Sequence, residues 1–236
     1  MALLTTKQYK TNLGLAHGWI TVGLNLSPAT EAAQILGRED LGTMCAMSGA
    51  CGPLCLKFTG MNQFPTHAVA RALRTAQLKD KPEETLEQIA HELDLAVGRA
   101  KRAKMGIACR LNLLSDQPWM ALRLAPRFPQ VQFYDYTKLP KPWLRTLPNY
   151  HLTFSYNERS SWAEVEDCLA HGINVAVVFN RRKGELPRKY RGIPVIDGDK
   201  HDLRFLDKPG RFVGLSFKGA LAKLPAAIES GFVLEA

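Results

Sequence analysis

From Gly106 onward the chain alternates short, apolar, β-branched runs with helix-forming stretches, and this rhythm narrows the possible folds more than any other feature. Residues 107–114, 131–136, 151–155, 174–179, 193–196 and 212–217 read as strands. Between them, residues 118–128 read as a helix and 140–147 as a short helix or turn. A further helix over 161–170 is capped by Ser161 and stopped by Gly172. Runs that are apolar at consecutive positions are what strands buried on both faces require. Strands that alternate with helices predict βαβ units and a parallel sheet. The expected fold class is therefore α/β. We expect a parallel βα barrel, partial or open, because about six or seven strands do not oblige a barrel to close.

The first half adds one strand at 19–26, closed by Ser27 and Pro28, and then a polar loop that carries three cysteines. A helix over 66–75 has Thr66 placed to cap it. A longer helix over 82–104 opens on Pro82, Glu83 and Glu84, residues suited to a first turn and to the positive end of the helix dipole. Leu86, Ile89, Ala90, Leu93, Val97 and Ala100 give it one apolar stripe at helical spacing. No linker or repeat divides the chain, so one domain over 1–236 is expected.

The apolar fraction of 46% supports a real core and excludes disorder as the default. The opening residues 1–7 hold no apolar stretch before a cleavage site, and no run approaches the roughly 18 apolar residues of a membrane span. A cytoplasmic protein without a membrane partner is expected. A net charge of +9 favours an anionic partner or substrate, such as DNA, RNA or a phosphate, against the competing reading of a solvated basic surface. The densest basic segment is Arg181, Arg182 and Lys183 with Arg188, Lys189 and Arg191, and Tyr190 lies within it. Cations interleaved with an aromatic suit contact with a nucleic-acid strand, and a plain surface loop is the equal competitor. Arg99, Lys101, Arg102 and Lys104 lie where a helix dipole favours cations, which accounts for them without a ligand. Oligomeric state leaves no mark in the sequence.

Each strand ends in polar residues, and parallel strands place such ends on one rim, where ligands of α/β sheets bind. Asp116, Asp135, Lys138 and Lys218 are the candidate catalytic groups, joined by Glu158. Ser115, Ser155, Asn157 and Asn180 are candidates for holding a cofactor. Polar loops alone would explain part of this pattern. They explain less well an acid set among aromatics, as Asp135 is in Phe133-Tyr134-Asp135-Tyr136, where it needs a partner; Lys138 and Lys218 are the candidates. Residues 197–202 (DGDKHD) bring metal-ligand types together but read more simply as a turn.

Cys45, Cys51 and Cys55 are spaced x5 and x3 in one loop, with Gly49 and Gly52 to let it wrap closely. Close thiols in a reducing compartment read as metal-binding or catalytic, while Cys109 and Cys168 read as buried small hydrophobes. Thiolates select zinc or iron–sulfur clusters. Structural zinc takes four ligands, and only His67 offers itself as a fourth. Three thiolates on a 4Fe–4S cluster would leave one iron open. Two readings stand: an iron–sulfur enzyme, and a non-catalytic nucleic-acid-binding protein whose loop is stapled by zinc.

This cysteine loop, followed by residues 131–138 (VQFYDYTK) and 150–155 (YHLTFS), resembles a phage-encoded family with no assigned activity. The resemblance continues through 174–179 and 195–199 and covers most of the chain from about 20 to 219. It implies the cytoplasm of an infected or lysogenic host cell. More distantly, three cysteines after the first strand of a βα barrel are similar to the radical S-adenosylmethionine enzymes. That similarity implies a four-iron cluster on Cys45, Cys51 and Cys55, with S-adenosylmethionine at the open iron. Those enzymes space their cysteines x3 and x2, with an aromatic before the last; this chain has x5 and x3, and Leu54 in that place.

Overall fold

The computed structural model describes residues 2–6 and 12–236; of the opening residues read for a leader, Met1 and Lys7 lie outside these. Ten described strands make up the sheet. In chain order they are β1 (Leu4–Thr5), β2 (Trp19–Leu24), β3 (Gly106–Arg110), β4 (Gln132–Thr137) and β5 (Tyr150–Ser155). The rest are β6 (Val175–Phe179), β7 (Lys189–Tyr190), β8 (Ile193–Asp197), β9 (Phe212–Ser216) and β10 (Val233–Leu234). The α-helices among the described residues are α1 (Glu31–Leu36), α2 (Pro65–Asp80), α3 (Pro82–Ala103), α4 (Trp119–Leu124), α5 (Trp162–Ala170) and α6 (Leu224–Glu229).

The expected strands and helices are present with shifted ends. Helix α2 starts at Pro65 instead of Thr66 and runs on to Asp80, so only Lys81 separates it from α3. Helix α4 gives way to a 3-10 turn at Ala125–Arg127, because Pro126 has no N–H for the helical ladder. The stretch 140–147 holds only a 3-10 turn, Pro142–Arg145. Ser161 caps α5 as read from the sequence, its Oγ accepting the Glu164 N–H at 3.1 Å.

The sheet runs β1-β2-β3-β4-β5-β6-β9-β8-β7. From β2 to β6 each strand pairs in parallel with the next in the chain. Crossovers that always step in one direction lie on one face of a sheet. That face carries two cores. In one, Leu86, Ile89 and Leu93 of α3 and Met120 and Leu124 of α4 pack with Val22, Cys109 and Phe133. In the other, Val165 and Cys168 of α5 pack with Phe154, Val177 and Phe212. The opposite face is filled by the segment after β8. Leu203 packs there on Ala108 and Tyr134, and the Phe205 ring stands edge-on to Trp19 at 4.8 Å. Arg110 on that face pairs with Asp202 at 2.7 Å.

The sheet is open. Its edge strands β1 and β7 run antiparallel to their neighbours, and among the described residues no ladder joins them. Strand β9 lies between β6 and β8, so the chain leaves β6, forms the β7–β8 hairpin outside, and returns to fill the gap. Strand β6 also has two partners along its other edge. β5 pairs with Val175 and Ala176, and β10 pairs with Val178 and Phe179 beyond the point where β5 stops. No described helix is long and apolar enough to cross a membrane.

Candidate functional site

A cavity of about 240 Å³ opens at the carboxyl ends of the parallel strands. Its floor comes from the face opposite the helices: Arg110 of β3, Tyr136 of β4, Ser155 of β5, Val178 of β6 and Leu215 of β9. The period of two along a strand selects these residues, since alternate side chains point away toward the helices. One wall is the loop after β3, another is Phe217 to Gly219 after β9, and Phe232 just before β10 closes a third. Cys45, Cys51 and Cys55 all line the remaining side.

Short tethers hold the thiol loop over the strand ends. Met44 O accepts the N–H of Asp116 at 2.9 Å and the Gln117 amide at 3.2 Å. The Cys45 thiol donates to Leu114 O at 3.4 Å. Ala50 N–H donates to Glu158 Oε1 at 2.8 Å, and Gly49 permits this because a Cβ there would collide with that oxygen. Lys223 Nζ reaches Pro53 O at 2.9 Å. Burial pushes the Cys45 thiol up to about 11 and raises Cys55 as well; Cys51 and Cys55 add to the rise at Cys45, and Cys51 to that at Cys55. Among the described residues no group of three or more His, Cys, Asp or Glu side chains is arranged to hold a metal ion.

Of the candidates read from the sequence, Ser115, Asp116, Lys138, Ser155 and Lys218 line the cavity with the thiols. Asp116 Oδ2 accepts the backbone N–H of Lys138 at 2.8 Å, and burial raises its carboxyl above the usual range. Lys138 Nζ lies 3.4 Å from Ser155 Oγ and 5.7 Å from the centroid of the Phe232 ring. Lys218 pairs with Asp199 at 2.6 Å.

Asp135, Asn157 and Asn180 do not line the cavity. Asp135 alternates with Tyr134 and Tyr136 along β4, so it points to the helix side. Its partners are the Asn112 N–H at 2.8 Å, the Asn112 amide at 2.9 Å and the Tyr150 hydroxyl at 3.2 Å, in place of the expected Lys138 or Lys218. Asn157 folds back on its own turn, donating to Ser155 O and accepting the Arg159 N–H. Asn180 Oδ1 accepts the Ala236 N–H at 3.2 Å and so secures β10. His67, the expected fourth ligand, sits on α2 near Phe64 and is not among the lining residues. Cys109 and Cys168 are buried.

The sequence pattern of the gene product 88 family, a phage gene-product family, matches residues 3–236. The chain belongs to that family. No curated protein and no solved structure matches it. The matched span holds every strand that builds the cavity, together with all three cysteines.

In this gene product 88 chain Arg110 and Phe232 escaped the sequence reading, while Tyr136 and Asp199 were read among the polar strand ends but not singled out for the site. An arginine ending the apolar run of β3 was a signal for Arg110, because such a charge needs a buried partner. Asp199 sits in the segment read as a turn, and Asp197 Oδ1 does accept the Asp199 N–H at 3.0 Å. The same turn also supplies Asp199 to Lys218 and Asp202 to Arg110. Nothing in the sequence marked Phe232, because β10 is only two residues long.

Proposed function

We propose that this cavity is an iron–sulfur site on a partial βα barrel, in which Cys45, Cys51 and Cys55 hold a 4Fe–4S cluster and the protein acts as a radical-SAM-like enzyme. One observation carries the reading: three thiols from an eleven-residue loop line the same cavity as Asp116, Lys138 and Lys218 at the strand ends. The donor types fit. Soft sulfur ligands sit on one wall, and the absent side chain of Gly49 lets their loop close on Glu158. Ligation requires the thiols to give up their protons, including the one Cys45 now donates to Leu114 O. When bound, a cluster held by three thiolates supplies an exchangeable iron position and an electron. S-adenosylmethionine is the cosubstrate suggested by the resemblance. Lys138 and Lys218 offer cations for its carboxylate and Asp116 an acceptor for its amino group. The substrate is anionic, a nucleic acid or other phosphate-bearing molecule, drawn by the exposed cations Arg181, Arg182 and Lys183.

Protein purified without oxygen tests this directly. It should be brown and carry about three or four irons per chain. Replacing Cys45, Cys51 or Cys55 by Ala should abolish the colour, while Cys168→Ala should keep it. Stoichiometric zinc in colourless protein would falsify the cluster and favour the zinc-stapled, non-catalytic nucleic-acid-binding reading.

A further inference from the structure

Four cations and one carboxylate line the cavity: Lys57, Arg110, Lys138 and Lys218 against Asp116. Most of the cations are already matched. Asp202 pairs with Arg110 at 2.7 Å, and Asp199 pairs with Lys218 at 2.6 Å. Lys57 approaches Glu31 at 3.8 Å, although buried Arg71 holds both oxygens of that carboxylate. Asp116 turns Oδ2 to the backbone N–H of Lys138, not to its ammonium. The Lys138 ammonium touches the Ser155 hydroxyl and the face of Phe232; Asp116 acts on it electrostatically, but no described carboxylate forms an ion pair with it. A half-buried ammonium among apolar walls gains most from an anion that brings charge-assisted hydrogen bonds.

The geometry points to a small-anion site in this cavity, in which Lys138 and Ser155 bind the carboxylate or phosphate of an organic ligand whose apolar body lies against Leu215, Phe217 and Phe232. The inference names the ligand class of the proposed site, but it rests on the cavity alone and stands without the cluster. The cavity, about 240 Å³ and open to solvent on one side, admits a small ring or short chain with its charged group at Lys138 and lets a larger ligand extend outward. The shared chemistry is a tetrahedral or planar oxyanion. Ser155 serves either, since a hydroxyl can turn to donate.

The test uses metal-free full-length protein and three probes in titration calorimetry: phenyl phosphate, phenylacetate and neutral phenylacetamide. At least one anion should bind about tenfold or more tighter than the amide. The stronger of the two identifies the head group. Lys138→Met should cut the anion affinity at least about tenfold and leave the amide unchanged, while Lys138→Arg should restore most of it. Lys101→Met, on the exposed face of α3, should change nothing. Failure of both anions to bind, equal binding of the amide, or indifference to Lys138→Met would each overturn the site. Iron content is read separately, so loss of the cluster reading and loss of the anion site are distinguishable.

Discussion

Asp135 holds three hydrogen-bond donors and is still pushed up to about 7, because full burial on the helix side outweighs the bonds from Asn112 and Tyr150. A carboxyl whose folded pKa lies above its unfolded value of about 3.9 stabilises the fold fully below that value. The stability is lost as the pH rises through about 7. Urea unfolding of the native chain should therefore weaken from pH 5 to pH 8 relative to Asp135→Asn, by an upper bound of roughly 3 kcal/mol. Parallel profiles for the two proteins would show that Asp135 does not titrate in that window. The sequence showed that an acid between aromatics needs partners, and it has them. It could not show which face of β4 the acid occupies, because Phe133, Tyr134, Asp135 and Tyr136 carry no alternation of apolar and polar side chains. Lys138 and Asp116 were easier to place, since both follow strands and need only the strands to be parallel.

The elements divide the same way. Helix α3 shows itself through its stripe, and α5 through its cap, because both signals are local. Ser161→Ala should cost about 1 kcal/mol, read as a lower urea midpoint with an unchanged slope. The insertion of β9 between β6 and β8, and the pairing of β10 with β6, rest on contacts far apart in sequence, which no local pattern encodes. The thiol loop belongs to this second kind. Its turns are closed by its own backbone bonds, such as Gly52 N–H to Ser48 O, but its position comes from tethers far away in sequence, Glu158 among them, more than a hundred residues later. Glu158→Ala should speed hydrogen exchange at the Ala50 amide by at least about tenfold while moving global stability by no more than about 1 kcal/mol. Gly49→Ala should have the same local effect by displacing the Glu158 carboxylate. Unchanged protection at Ala50 in both variants would mean that this bond does not hold the loop in place.

For the whole molecule, the net charge of +9 was legible at once, and its distribution was not. Arg181, Arg182 and Lys183 are exposed beyond the end of β6, while Lys101, Arg102 and Lys104 are exposed at the end of α3. Reversing the first triplet to Glu should weaken binding to single-stranded DNA more than reversing the second, and should flatten the dependence on salt. Equal losses from both would assign the binding to overall charge. The open sheet has a further consequence for the cavity's weakest side. The wall that carries Phe232 is joined to the sheet by a two-residue ladder to β6 and by the bonds of Asn180 to Leu234 and Ala236. The floor strands, by contrast, are each paired on both sides. Local opening therefore costs least at the Phe232 wall, and hydrogen exchange at the amides of β10 should outpace that of β4 and β5.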